Sequence, residues 1–200
     1  MNDLMRQKKL SEIQSSFRPF NLTAGKGKEL FFNGECVQDE NGKIIPEGDG
    51  FINICYNKSG LSKMLSNLFP YEFSLRGEKA SSIEGVLQGI KSREAKLQRL
   101  VFKYHGMDAL NTRAFFLFDD WRNTQTLHWQ EVPVARNSKE YQDFLDELYI
   151  AASGNPLFER AIKAVGSKSL LHTLGGTDAS NTVLTRNEFE SRLNSLKEIV

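Results

Sequence analysis

The sequence predicts an α+β fold: a mostly helical single domain with a small β element. Two hundred residues, 40% of them hydrophobic and 26% charged, have the balance of one globular domain, and fourteen Phe, five Tyr and two Trp supply a sizeable core. The C-terminal half is a succession of apolar stripes at helical spacing, each set off by a capping residue or a glycine. Period-two alternation, the mark of a half-buried strand, is confined to short runs.

The elements follow in order. Residues 2–17 read as a short helix with Leu10, Ile13 and Phe17 on one side. From Phe20 to Gly50 the composition turns to Gly, Asn, Lys and Glu, and Asn33-Gly34 and Asn41-Gly42 are hairpin signals. Residues 1–50 are therefore expected to be an extension, a helix plus a β-hairpin, and residues 51–200 the main domain. Residues 51–56 (FINICY) alternate as a half-buried strand, and residues 71–75 form a second, closed by a turn at Arg76-Gly77. Ser81 opens a long helix reaching about Tyr104, with Ile83, Leu87, Ile90, Leu97, Val101 and Tyr104 inward. Residues 110–118 are expected to be helical, and residues 119–136 an irregular, Trp-bearing stretch. Ser138 caps a helix with Tyr141, Phe144, Leu145, Leu148 and Tyr149 inward, ending at Gly154. Pro156 stands at the first position of the next, which buries Phe158, Ile162 and Val165 and stops at Gly166. Thr185 caps the last, with Phe189, Leu193, Leu196 and Val200 inward.

Charge and cysteine content narrow the function classes. A net charge of +1 offers no basic field to grip long duplex DNA, so contact with nucleic acid is expected to be local. Only Cys36 and Cys55 occur, and no apolar leader follows Lys8-Lys9, which points to a reducing cytoplasm, the host's if the chain is viral. Apolar runs such as residues 114–118 are far too short to span a bilayer, so no membrane partner is expected. Three His and two separated Cys compose no metal cluster. Gly25-Lys26-Gly27-Lys28 lacks the spacing and hydroxyl residue of a phosphate loop. Neither metal nor cofactor is expected.

Residues 65–92 carry the most suggestive chemistry. Glu84, Gln88 and Lys91 stand at i, i+4 and i+7, so a helix stacks an acid, an amide and an amine on one face. That pattern suits acid–base or covalent chemistry, with the amine as phosphate anchor or nucleophile. It also admits a plainer reading: Ser81-x-x-Glu84 has the form of a capping box, as does Thr185-x-x-Glu188, and Lys91 can be a solvated helix-edge lysine. His128, Trp129 and Arg136 are either a loop plug on the core or a base-stacking aromatic and a phosphate-binding guanidinium. His172 reads as a structural histidine.

The segment LSNLFPYEFSLRGEKASSIEGVLQGIK resembles the NADAR (YbiA-like) superfamily, with its polar Ser-Asn-Phe turn, strand, and Glu-His-x-x-Gln-x-x-Lys helix. Ser66, Asn67 and Leu68-Phe69 match the turn, and Glu84, Gln88 and Lys91 the helix. FINICY upstream and TLHWQEVPVAR and LLHTLGGTDASNTVLTRNEFESRLNSL downstream extend the likeness over roughly residues 51–200. Gly85 stands where the family has His, Val86 and Leu87 replace aromatics, and GGTDASN replaces a Trp-Gly element.

The resemblance implies a YbiA-like fold and an N-glycosidase that removes ADP-ribose from a nucleobase such as guanine in DNA, serving phage or bacterial counter-defence. Glu84 and Lys91 are then catalytic. Glu84 stabilises an oxocarbenium-like centre at the ribose, and Lys91 anchors a phosphate or attacks that carbon. Asn67 and Gln88 would bind ribose or base, and Trp129 and Arg136 base and pyrophosphate. Two other readings are a module that binds ADP-ribose without cleaving it, and a protein-interaction inhibitor contacting its partner through residues 1–50.

Overall fold

The structure, a computed structural model, describes residues 50–112 and 120–199. In chain order its elements are β1 (Phe51–Asn53), α1 (Gly60–Met64), β2 (Phe73–Leu75), β3 (Glu78–Ala80), α2 (Ile83–Gly89), α3 (Ala95–Val101), α4 (Gly106–Asn111), α5 (Trp121–Thr124), β4 (Thr126–Trp129), β5 (Val132–Ala135), α6 (Lys139–Ser153), α7 (Pro156–Val165), β6 (Ser169–Leu171) and α8 (Arg186–Lys197). The class is α+β, with helices packed around one hydrophobic core. Among the described residues the strands form three two-stranded sheets. β1 lies parallel to β6, Ile52 opposite Leu170, while β2–β3 and β4–β5 are antiparallel hairpins.

The C-terminal helices form where their stripes and caps predict. α6 buries Tyr141, Phe144, Leu145, Leu148 and Tyr149, and the Ser138 hydroxyl accepts the Tyr141 N–H at 3.2 Å. α7 starts on Asn155, whose Oδ1 accepts the Leu157 N–H at 2.9 Å, and Pro156 fills the first turn. α8 opens with a capping box between Thr185 and Glu188. Burying each large apolar side chain of these stripes contributes roughly 1.5–3 kcal/mol, which outweighs helix propensity as the reason the helices are stable.

Elsewhere the structure departs from expectation. The long helix over residues 81–104 is two helices, α2 and α3, broken at residues 90–94. The Ile90 carbonyl turns away to accept the His128 N–H of β4 at 2.8 Å. The buried Gln98 amide donates to the Ser92 and His128 carbonyls at 2.6 and 2.9 Å and accepts the Gln130 N–H at 3.0 Å. A continuous helix would leave these buried groups unpaired. The cap of α2 is Ser82, not Ser81: its hydroxyl accepts the Gly85 N–H at 2.9 Å and donates to the Tyr104 carbonyl at 2.8 Å.

Residues 119–136, expected to be irregular, contain α5 and the β4–β5 hairpin. That hairpin turns on Gln130 and Glu131, both with positive φ, where an Asn-Gly pair would have announced it. The turn at Arg76-Gly77 does form as predicted, with φ of 49° and 85°, and joins β2 to β3. The short β6 was not anticipated. The expected elements in residues 1–49, most of the helix expected over residues 110–118, and Val200 lie outside the described residues.

Candidate active site

The site begins with a stitch between a turn and a helix. The first amides of a helix have no partner within it. In α2 one of them, the Glu84 N–H, is accepted by the Asn67 backbone carbonyl at 2.9 Å. That bond sets Asn67, on the turn after α1, beside the first turn of α2. Gly85 makes the other side of α2 close: a Cβ there would lie 2.8 Å from the Tyr104 carbonyl oxygen and 3.0 Å from that of Val101. Gly85 is a packing residue, and no larger side chain fits its place.

On the opposite face the acid, amide and amine form a continuous chain. Lys91 Nζ donates to Gln88 Oε1 at 2.5 Å, and Gln88 Nε2 donates to Glu84 Oε1 at 2.6 Å. Gln88 and Lys91 are buried. The chain fixes which end of the Gln88 amide faces which charge, and holds the carboxylate through one oxygen. The Tyr149 hydroxyl donates to Asn67 Oδ1 at 2.8 Å. Lys91 Nζ also lies 5.9 Å from the centroid of the buried Trp121 ring, and the Arg122 guanidinium lies 4.8 Å from it.

These groups open into a cavity of about 560 Å³. Asn67, Glu84, Gln88 and Lys91 line it together with Asp120, Trp121, Arg122 and Asn123 at the start of α5, and with residues of the loop between β6 and α8. Arg122 Nε donates to the Asn181 carbonyl at 3.2 Å, and Gln125 Nε2 to that of Ser180 at 3.0 Å, tying α5 to this loop. Within the loop the Ser180 hydroxyl and amide and the Asn181 amide hold the Asp178 carboxyl below its usual range. His172 lines the cavity from the end of β6. Burial lowers its pKa, against the Ile54 carbonyl that its Nδ1 meets at 2.9 Å, so the ring is neutral near pH 7.

Four of the six residues that the sequence singles out thus meet in one pocket; Trp129 and Arg136 do not. Trp129 is a core residue, stacked on Phe102 with ring centroids 5.4 Å apart and tilted against Phe144. Arg136 is completely buried, with two nitrogens on Glu188 at 3.0 and 2.7 Å and Nε on the Thr182 carbonyl at 2.9 Å. It braces the base of α8 and the loop from behind, and its guanidinium is consumed by that duty. Trp121 and Arg122, by contrast, do line the cavity. A signal for them exists in the polar run Asp120-Trp121-Arg122-Asn123, and one for the loop in Gly175-Gly176-Thr177-Asp178, since polar and glycine-rich loop segments often carry binding groups.

Comparison with known proteins replaces the resemblance stated from sequence. No NADAR model matches; the family model that does is bacteriophage protein GP30.3, over residues 60–198. A protein of Enterobacteria phage T4, described as an uncharacterized 17.1 kDa protein in the Gp30-rIII intergenic region, is 32% identical over 136 residues, covering 67% of this chain and 88% of its own length. No solved structure matches the chain. Among the described residues no helix is long and apolar enough to cross a membrane. The assignment to NADAR and to its YbiA-like fold is therefore withdrawn, and the chain belongs to the bacteriophage protein GP30.3 family.

Proposed function

We propose that this pocket is the active site of an N-glycosidase that removes ADP-ribose from a modified nucleobase, such as guanine in DNA, in the cytoplasm of an infected host. The observation that carries the reading is the Lys91–Gln88–Glu84 chain opening into a polar cavity. Departure of a base from C1 of ribose builds positive charge at that carbon. A carboxylate fixed in advance at that place stabilises the charge without reorganising, and can orient the water that completes hydrolysis. One oxygen of Glu84 is held by Gln88; among the described residues Oε2 has no hydrogen-bond partner, and it is the atom given this work.

Size and lining support the ligand class. A cavity of about 560 Å³ lies within the range of roughly 300–1,000 Å³ typical of small-molecule sites. Lys91 and Arg122 supply cations for a diphosphate, and Trp121 an aromatic flank. The near-neutral charge suits a target presented as a single unpaired or flipped nucleotide.

The test is release of ADP-ribose from ADP-ribosylated DNA by the wild type and by Glu84→Gln. The substitution keeps the shape and removes the charge, and is expected to lower turnover by about 10²–10³-fold. Equal release by the two proteins rules out the role given to Glu84. Binding of ADP-ribose with no release by either would favour a module that recognises the group and leaves it in place.

A further inference from the structure

The Tyr149 hydroxyl meets the pocket through Asn67. Tyr149 is buried on α6 and tilted against the Phe189 ring, 6.1 Å between centroids. Burial raises its pKa far above the ordinary phenol value, so the hydroxyl keeps its proton at any working pH. It donates that proton to Asn67 Oδ1 at 2.8 Å. Reversing the Asn67 amide would strand the buried phenolic proton, which is costly. The Asn67 main chain is held as well, by the Glu84 N–H at 2.9 Å. Oδ1 therefore points at Tyr149, and Nδ2 is the end of the amide left to serve the cavity, which Asn67 and Glu84 both line.

We propose that Tyr149 is a positioning residue: by fixing the Asn67 amide it presents a donor, Asn67 Nδ2, to the cavity that Glu84 lines with an acceptor, Oε2, and the two together select ribose over 2-deoxyribose at the reacting end of the ligand. A sugar hydroxyl both donates and accepts, and matches such a pair; a methylene in its place leaves both groups unpaired. This rests on the N-glycosidase reading and sharpens it. An ADP-ribosylated deoxynucleotide carries two sugars bonded to the base, and only the one to be removed has the hydroxyl next to its anomeric carbon.

The experiment is calorimetric titration of the full chain with ADP-ribose and with its analogue lacking that hydroxyl on the terminal ribose. The wild type is expected to prefer ADP-ribose by about tenfold or more, the worth of one to two hydrogen bonds. Tyr149→Phe keeps the ring and is expected to bring the ratio close to one. Asn67→Ala is expected to do the same, and adding Tyr149→Phe to it should change the ratio no further. A Tyr149→Phe protein that keeps the wild-type ratio, or loses both affinities equally, overturns the positioning role. Equal binding of the two ligands by the wild type overturns the selection while leaving an N-glycosidase possible. Failure of the wild type to bind ADP-ribose at all removes the ligand on which both readings depend.

Discussion

Glu84 and Glu188 each stand in the first turn of a helix and meet different fates. Glu188 closes the capping box of α8, takes two nitrogens of Arg136 and accepts from Gln142 at 2.8 Å. Burial alone would raise its pKa, but Arg136, the Thr185 N–H and Gln142 outweigh it and bring the value to about 2. Its job is structural, and Glu188→Gln is expected to destabilise the fold by about 3 kcal/mol, because it leaves the wholly buried Arg136 short of a counter-charge. Urea unfolding at pH 7 reads that loss. Among the described residues Glu84 has no such clamp, so Glu84→Gln is expected to shift stability by less than about 1 kcal/mol in the same measurement. The motif Ser/Thr-x-x-Glu does not separate the two cases. The difference is made by Arg136, 52 residues away from Glu188 in the chain, and by Ser82 taking the cap of α2 from Ser81.

At the scale of elements, what positions the site is close backbone packing. Gly85 faces the carbonyls of Val101, the last residue of α3, and of Tyr104 beyond it, and Gly89 faces the Phe102 ring, where a Cβ would come within 2.5 Å of Cε1. Gly85→Ala is expected to destabilise by about 1–3 kcal/mol through overpacking, in thermal unfolding, without altering any cavity-lining side chain. The β4–β5 turn carries the opposite liability, since Glu131 has φ of 74°. Glu131→Gly is expected to stabilise by about 0.5–1 kcal/mol by relieving a left-handed conformation, and a fall in melting temperature would contradict that account. Periodicity reports which face of a helix is apolar, so α6, α7 and α8 were legible. It says nothing about a carbonyl that leaves its helix to meet a strand, and the break between α2 and α3 was therefore invisible.

At the scale of the molecule, the pocket is assembled from the turn at Asn67, the face of α2, the start of α5 and the loop before α8. The first two lie within one continuous stretch of sequence, and their residues were recognisable there. Trp121, Arg122 and the loop reach the cavity through the fold, whereas Trp129 draws attention in the sequence by standing beside His128 and shortly before Arg136. Acid is expected to loosen the whole assembly in two stages. His172 has a lowered pKa, so the stability tied to its neutral ring is complete above about 6.5 and is lost as pH falls below that value. Glu188 contributes above its ordinary 4.5 and loses that contribution as pH falls from 4.5 toward 2. Unfolding free energy measured from pH 8 to pH 3 should decline through both windows, and in Glu188→Gln the lower decline should shrink.

The central claim concerns which bond is cut. Its most direct measurement is the intact mass of an oligonucleotide bearing one ADP-ribosylated guanine, taken before and after incubation with the full chain. The account predicts that the strand returns to the mass of unmodified DNA with the wild type and keeps its modification with Glu84→Gln. A strand unchanged by both proteins, or one that loses the guanine together with its ADP-ribose, would contradict it.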